Sequence, residues 1–248
     1  MAVTSWDVEA WVADMTRAKV GPTALAQSVQ LFRYMMADAV RHKRIMADPT
    51  AGVKVPKAPK HVDRFLSLPE YEALEAATPT DRDRCIVRLM AYAGLRWGEV
   101  AGLHAHRVDL AARRLTVVEV LRRDATVKDR PKSAAGQRYV PLERRLVDLL
   151  GELVPASGMV FPGLHYTNWR RRVFAPAVLA AGLAAPLPTP HDLRHTFGSW
   201  LAGNGVPPTD IMALMGHSTL RATERYLHSG NDRFERALTA LPARQLTQ

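Results

Sequence analysis

Ala93-Gly94-Leu95-Arg96-Trp97-Gly98-Glu99 is the stretch on which the reading of this chain turns. Upstream of it, Thr80 with Asp83 forms a capping box, and the helix it opens runs to Gly94, the glycine expected just past a helix C-terminus. A second helix begins near Trp97. The segment is therefore helix, glycine stop, turn, helix, and it sets Arg96 at the turn. Glu99 follows three residues on, close enough to brace the guanidinium or to cap the helix. An arginine fork holds a phosphate through two parallel bonds, which a lysine cannot do. The same pair also fits an ordinary surface ion pair, so this motif alone does not decide the chemistry.

Toward the N-terminus, Ser67 with Glu70 repeats the capping-box pattern. Ahead of it, the run from Asp48 to Lys60 holds three prolines and three lysines, the composition of a stiff basic linker. The domain boundary falls there. Residues 5–46 read as two or more helices, with Leu25, Val29, Phe32 and Met36 at helical spacing on one buried stripe. Thr23, after Gly21-Pro22, reads as an N-cap. Arg33, Arg41, Lys43 and Arg44 fall largely off the stripe. The expected organisation is a helical unit over 1–55, a basic linker over 56–61 and a larger domain over 62–248.

Toward the C-terminus, Arg114 to Leu121 is rich in β-branched residues and reads as a strand. Two shorter β segments follow, about 126–132 and 138–142, joined through Ser133-Ala134-Ala135-Gly136. Helices are expected over about 143–153, 167–181, 190–203, 207–215, 219–228 and 232–240. Thr189-Pro190 is an N-cap followed by proline at the first helical position. The fold class is mainly α with one small antiparallel sheet (α+β).

Composition narrows the partner. The 248 residues carry a formal charge of +10 and a pI near 10.2, a surplus that points to nucleic acid or an anionic membrane. The longest uncharged stretch, Val173 to Pro190, is broken by Pro176, Gly182, Pro186 and Pro188 and cannot span a membrane. Nucleic acid gains weight accordingly. No basic, apolar leader opens the chain. The single Cys85, in an apolar helical pattern, excludes an internal disulfide framework and reads as a buried inert thiol suited to a reducing cytoplasm.

Four further groups could carry chemistry. His191 and Arg194, three apart in a first helical turn, share a face where backbone N–H groups favour an anion. His195 reads as structural, on a different face. His217 follows Gly216 where one helix ends and the next begins, and Tyr226 lies along that next helix. A phenol with an ordinary pKa of about 10 needs a base and a positive field to act as a nucleophile. The polar neighbours of Tyr226 weaken the alternative of a core aromatic. Lys132, in the expected hairpin, is either a solvated lysine or a proton donor to a leaving oxygen. The sequence has no His-Glu-x-x-His motif, no carboxylate cluster for magnesium and no phosphate-cradling glycine loop. Stabilising a phosphoryl transition state would then fall to side-chain cations, and no cofactor is expected.

The order Arg96, Lys132, His191-x-x-Arg194, His217, Tyr226 closely resembles the tyrosine recombinase family in its phage-integrase branch. Ala93 to Leu103 resembles the first-arginine box, Pro131 to Leu142 the hairpin-lysine segment, Pro190 to Phe197 the second box, and Leu214 to Ser218 followed by Tyr226 the third. The match spans residues 62 to about 230. The resemblance implies that Tyr226 attacks a scissile phosphate to form a 3′-phosphotyrosyl link. Arg96 and Arg194 would bind the non-bridging oxygens, Lys132 would protonate the leaving 5′-oxygen, His191 would assist proton transfer at the tyrosine and His217 would bond the phosphate, with Glu99 in support. It further implies a tetramer on double-stranded attachment-site DNA, a monomer off it, exchange through a Holliday junction, and two domains closing as a C-shaped clamp. Candidate DNA contacts are Arg33, Arg41, Lys43, Arg44, Lys54, Lys57 and Lys60. The first domain is shorter than the family's usual core-binding domain, and no room is left for an arm-binding domain, which fits either a minimal integrase or a truncated chain. Phe234, Leu238 and Leu241 are candidates for docking on a neighbouring protomer or for packing within their own chain. A type IB topoisomerase-like enzyme and a DNA-binding module without catalysis are the competing readings.

Overall fold

The structure, a computed structural model, describes residues 3–56, 63–121, 127–129 and 138–227. The chain divides into two compact units, Met1–Val62 and Asp63–Gln248.

The smaller unit is built on two helices, α1 (Ser5–Arg17) and α2 (Pro22–Arg41). Thr4 caps α1 in a reciprocal box with Asp7. The cap of α2 is Gly21 and not Thr23, because Pro22 occupies the first helical position, where its missing N–H costs nothing. The stripe on α2 buries Leu25 and Val29 against Val8, Val12 and Val53, with Trp11 set edge-on to Phe32 at 5.6 Å between centroids.

The larger unit opens with α3 (Leu68–Ala77), α4 (Asp81–Tyr92) and the short α5 (Trp97–Ala101). Ser67 and Glu70 form the expected box, and Thr80 accepts from the Asp83 amide while donating to its carboxylate. Helix α4 is the central core element: Cys85, Ile86, Leu89 and Met90 are fully buried, and the low-dielectric surroundings push the Cys85 thiol up to about 12, as an inert thiol requires.

The β region follows as β1 (Val108–Asp109), β2 (Arg114–Val117), β3 (Glu119–Leu121), β4 (Val127–Asp129) and β5 (Arg138–Pro141). The run read as one strand is two, separated at Val118. β2 lies between β1 and β5 in an antiparallel sheet, with Leu115 opposite Val140 and Val117 opposite Arg138, whereas β3 pairs with β4. Lys132 falls outside the described residues, as do Lys57, Lys60, Phe234, Leu238, Leu241 and the helix expected over 232–240.

The remaining helices are α6 (Arg144–Leu153), α7 (Tyr166–Trp169), α8 (Ala175–Ala180), α9 (Pro190–Gly203), α10 (Pro208–Met215) and α11 (Arg221–Leu227), with a π-helical turn over Arg170–Phe174 joining α7 to α8. Thr189 is the N-cap of α9 with Pro190 at the first helical position, as the sequence predicts, and its N–H and hydroxyl both donate to the Asp192 carboxylate at 2.7 Å. α9 packs along α4, and α10 and α11 pack on α9. Among the described residues no helix is long and apolar enough to cross a membrane.

Candidate active site

The turn after α4 places the first arginine. Gly94 takes a left-handed backbone (φ 62°), and a Cβ there would come within 2.4 Å of the Phe197 ring on α9. Only glycine satisfies both conditions. The turn leaves Arg96 as the cap of α5, where its backbone N–H donates to the Glu99 carboxylate at 2.8 Å.

Glu99 is the focus of the cluster. Its side chain is fully buried, and three guanidiniums surround it among the described residues. Arg138, reaching in from β5, binds it bidentately at 3.0 and 2.7 Å. Arg96 donates from Nη1 at 3.0 Å, and Arg194 of α9 lies 3.8 Å away. Burial alone would raise the Glu99 pKa, but the hydrogen bonds and charge of Arg138, with Arg96 and Arg194 behind them, hold it at about 2. Burial and the Arg96 charge push Arg194 the other way, down to about 9, with Glu99 opposing. Three positive charges against one negative leave the cluster cationic, which suits it to an anion.

The same guanidiniums grip the end of α10. Arg138 Nε donates to the Leu214 carbonyl at 2.8 Å, Arg194 to that of Met215, and Arg96 to that of Gly216 at 3.2 Å. Arg194 also donates to Gly94, across the site. Carbonyls at a helix C-terminus have no partner in their own helix and carry the negative end of its dipole, so cations settle there. Gly216 ends α10 in the left-handed conformation (φ 61°). His217 leaves the helix there, half-buried, with Nδ1 2.9 Å from the Thr223 hydroxyl.

Tyr226, on α11, has its ring against α9 directly over Gly198, where a Cβ would meet it at 2.8 Å. It is 1% exposed. The His217 ring stacks near it at 6.2 Å, and the Phe65 ring stands edge-on at the same distance. Its hydroxyl lies 2.8 Å from His195 Nδ1. His191 is exposed on the first turn of α9, its ring 4.5 Å from that of His195.

The structure thus brings together Arg96, Glu99, Arg194, His217 and Tyr226 from three sequence boxes, with His191 at the edge through His195. Two participants were not expected. Arg138 was read only as part of a β segment, although it alternates in phase with the buried Val140 and so points inward. His195 was set on a different face from His191, yet a spacing of four returns a helix nearly to the same side. Among the described residues no group of three or more His, Cys, Asp or Glu side chains is placed to hold a metal ion. Of the basic residues in the smaller unit, Arg33 donates to the Val53 carbonyl at 2.6 Å and Arg41 pairs with Asp38, whereas Lys43, Arg44 and Lys54 are exposed.

The profile of the phage integrase family matches residues 60–233. The tyrosine recombinase XerD of Pseudomonas aeruginosa is 31% identical over 214 residues, covering 82% of this chain and 69% of that protein. The XerD of Lacticaseibacillus casei is 30% identical over 220 residues, 85% of this chain and 73% of its own. Among solved structures, the Tn1549 transposon integrase in complex with a circular intermediate DNA has a TM-score of 0.81 at 18% identity, over 97% of this chain and 86% of that one, a likeness of fold. These matches define the class, a site-specific recombinase of the tyrosine type. The chain belongs to the phage integrase family.

Proposed function

We propose that this recombinase cuts and rejoins DNA through a covalent bond to Tyr226. The phenol oxygen attacks the scissile phosphorus, the bond to the 5′-oxygen breaks, and a 3′-phosphotyrosyl link holds the strand. Arg96 and Arg194 bind the non-bridging oxygens, where charge accumulates in the transition state. A guanidinium has five N–H donors, more than the carbonyls of α10 and Gly94 take from Arg194. Lys132 protonates the leaving 5′-oxygen, His191 assists proton transfer, and His217 bonds the phosphate. Glu99 holds the arginines in place. The phosphodiester energy is kept in the covalent link, so a 5′-hydroxyl from another strand reverses the step without an outside energy source.

One observation carries this reading: Arg96 and Arg194 meet at Glu99 and donate to the Gly216 and Met215 carbonyls just before His217, with the Tyr226 ring packed on the helix that supplies Arg194. A binding module needs phosphate cations but no buried phenol beside them. At larger scale, four copies exchange strands through a Holliday junction on double-stranded attachment sites, and the DNA moved is that of a phage or another mobile element. The resemblance to integrases supports that scale, as does the Tn1549 enzyme's complex with circular intermediate DNA.

The test is a pool of nicked duplexes with randomised cores, incubated with the full chain and resolved under denaturing conditions. A covalent protein–DNA band, lost in Tyr226→Phe while DNA affinity stays within about twofold, is the expected result, since the phenol oxygen is needed for attack and not for binding. Cleavage by Tyr226→Phe would remove the nucleophile assignment. Rejoining of the same strand only, with no transfer between duplexes, would move the enzyme to the topoisomerase-like reading.

A further inference from the structure

We propose that the general base that receives the Tyr226 proton directly is His195, with His191, whose ring stands 4.5 Å from that of His195, assisting from behind it, and that Asp63 positions the His195 ring; this rests on Tyr226 being the nucleophile. His195 Nδ1 lies 2.8 Å from the phenol oxygen. Its other nitrogen, Nε2, lies 3.9 Å from Asp63 Oδ1. Carboxylate, imidazole and phenol therefore stand in sequence, as orienter, base and nucleophile do in activated-nucleophile sites. The protonation pattern follows from this order. For Nδ1 to accept the phenol O–H, the proton of the neutral ring sits on Nε2, the side that faces Asp63. At 3.9 Å the carboxylate contact is electrostatic, and it strengthens once the ring becomes cationic.

The surroundings hold this geometry. The chain from Arg64 to Leu66 is pinned along α9: the Arg64 N–H donates to Asp192 at 3.4 Å, the Leu66 N–H to Thr196 at 3.0 Å, and Trp200 Nε1 to the Leu66 carbonyl at 3.1 Å. That course sets Asp63 beside His195. The missing side chain at Gly198 lets the Tyr226 ring lie flat against the helix that carries His195. Tyr226 is closed off from solvent, so its proton leaves most directly to a neighbouring side chain, and His195 is an acceptor already at bonding distance.

The step balances. The phenol proton passes to His195 Nδ1 as the bond from oxygen to phosphorus forms and the bond to the 5′-oxygen breaks, and Lys132 protonates that oxygen. In the reverse step an incoming 5′-hydroxyl gives its proton to Lys132, and His195 returns its own to the departing phenolate.

Two measurements test this on the full chain. The first is the ¹⁵N spectrum of the His195 ring without DNA, assigned by its loss in His195→Asn. The expected form is protonated at Nε2, and a ring protonated at Nδ1 overturns the proposal. The second is the rate of covalent-complex formation on a duplex recovered from the randomised pool. Asparagine at 195 keeps a hydrogen-bonding group near the position of Nδ1 but cannot take a proton, so His195→Asn is expected to slow cleavage about 100-fold or more. Asp63→Asn, which keeps shape and loses charge, is expected to slow it about tenfold. A substrate with sulfur in place of the bridging 5′-oxygen supplies a leaving group that needs no protonation. It should rescue Lys132→Ala and leave His195→Asn slow, whereas rescue of His195→Asn would put His195 at the leaving oxygen and overturn the proposal. Wild-type or faster cleavage by His195→Asn overturns the proposal, since the hydrogen bond then only restrains the phenol. Loss of cleavage in Tyr226→Phe together with normal rates in His195→Asn removes the base and keeps the nucleophile. If His195→Asn does not fold, His195→Gln supplies the assignment, and Asp63→Asn and the ring tautomer decide.

Discussion

Taking the charge from Glu99 leaves the buried Arg138 and Arg194, and the partly exposed Arg96, around a neutral buried amide. Breaking one partner out of a buried ion cluster costs about 3–5 kcal/mol, more than the ion pair contributes when whole, because the remaining charges stay buried without compensation. Glu99→Gln is therefore expected to lower the stability of the larger unit by about that much in urea titration. Acid gives an independent check. The Glu99 carboxyl is depressed from an ordinary 4.5 to about 2, so its contribution is fully present above pH 4.5 and is lost as pH falls through 2. The gap between wild type and Glu99→Gln should close over that window; a gap that stays constant down to pH 2 would show that the charge is not the source. The sequence made Glu99 visible as a brace because it sits three residues from Arg96 on one helix. It did not show that Arg138 is the stronger partner, since the tie spans 39 residues and crosses from a strand to a helix. The inward phase of Arg138 beside Val140 was legible; its target was not.

Helix α10 is short, and what fixes its C-terminal end comes from elsewhere. Arg138, Arg194 and Arg96 take three successive carbonyls, Leu214, Met215 and Gly216, immediately before His217. Substituting Arg138 therefore loosens the tie to Leu214 and the brace on Glu99 together. Arg138→Met is expected to raise hydrogen exchange at the Gly216 and His217 amides, which bond back to Ala213 and Met212, while α4 stays protected. Cleavage should fall about tenfold or more, in keeping with a small misplacement of phosphate-binding groups. Arg138→Lys should not rescue it, because an ammonium cannot form the paired bonds. Unchanged exchange at these amides would mean that α10 ends correctly without Arg138. Element-level reading from sequence succeeded where local chemistry terminates an element: Ser67, Thr80, Gly94, Thr189 and Gly216 all lie at helix ends. It failed where a partner decides. The break at Val118 reflects β2 pairing with β5 while β3 pairs with β4, and β-branched composition is blind to that change of neighbour. The π turn at Arg170–Phe174 is equally invisible, since it leaves the apolar pattern of the helix nearly intact.

Across the whole chain, +10 of charge is more than the active-site cluster uses, and the excess is spread along the sequence. If that excess neutralises phosphates on a long DNA footprint, the logarithm of the binding constant should fall linearly with the logarithm of salt, with a slope of about −0.9 for each phosphate contacted. The structure ranks the contributors in the smaller unit. The Arg33 guanidinium is committed to the Val53 carbonyl and that of Arg41 to Asp38, whereas Lys43 and Arg44 are exposed. Lys43→Gln and Arg44→Gln should therefore each flatten the slope by about one and weaken binding on every sequence alike, because phosphate contacts position a protein without reading bases. Arg33→Gln should act differently, lowering the stability of its own unit through the lost bond to Val53. Equilibrium binding to a long random-sequence duplex at several potassium chloride concentrations measures all of this without knowledge of the attachment site. A wild-type slope near zero would contradict an extended phosphate contact. A steep slope unchanged by Lys43→Gln and Arg44→Gln would move the footprint onto the larger unit, where Arg96, about one-third exposed beside a fully buried Glu99, is already turned toward solvent.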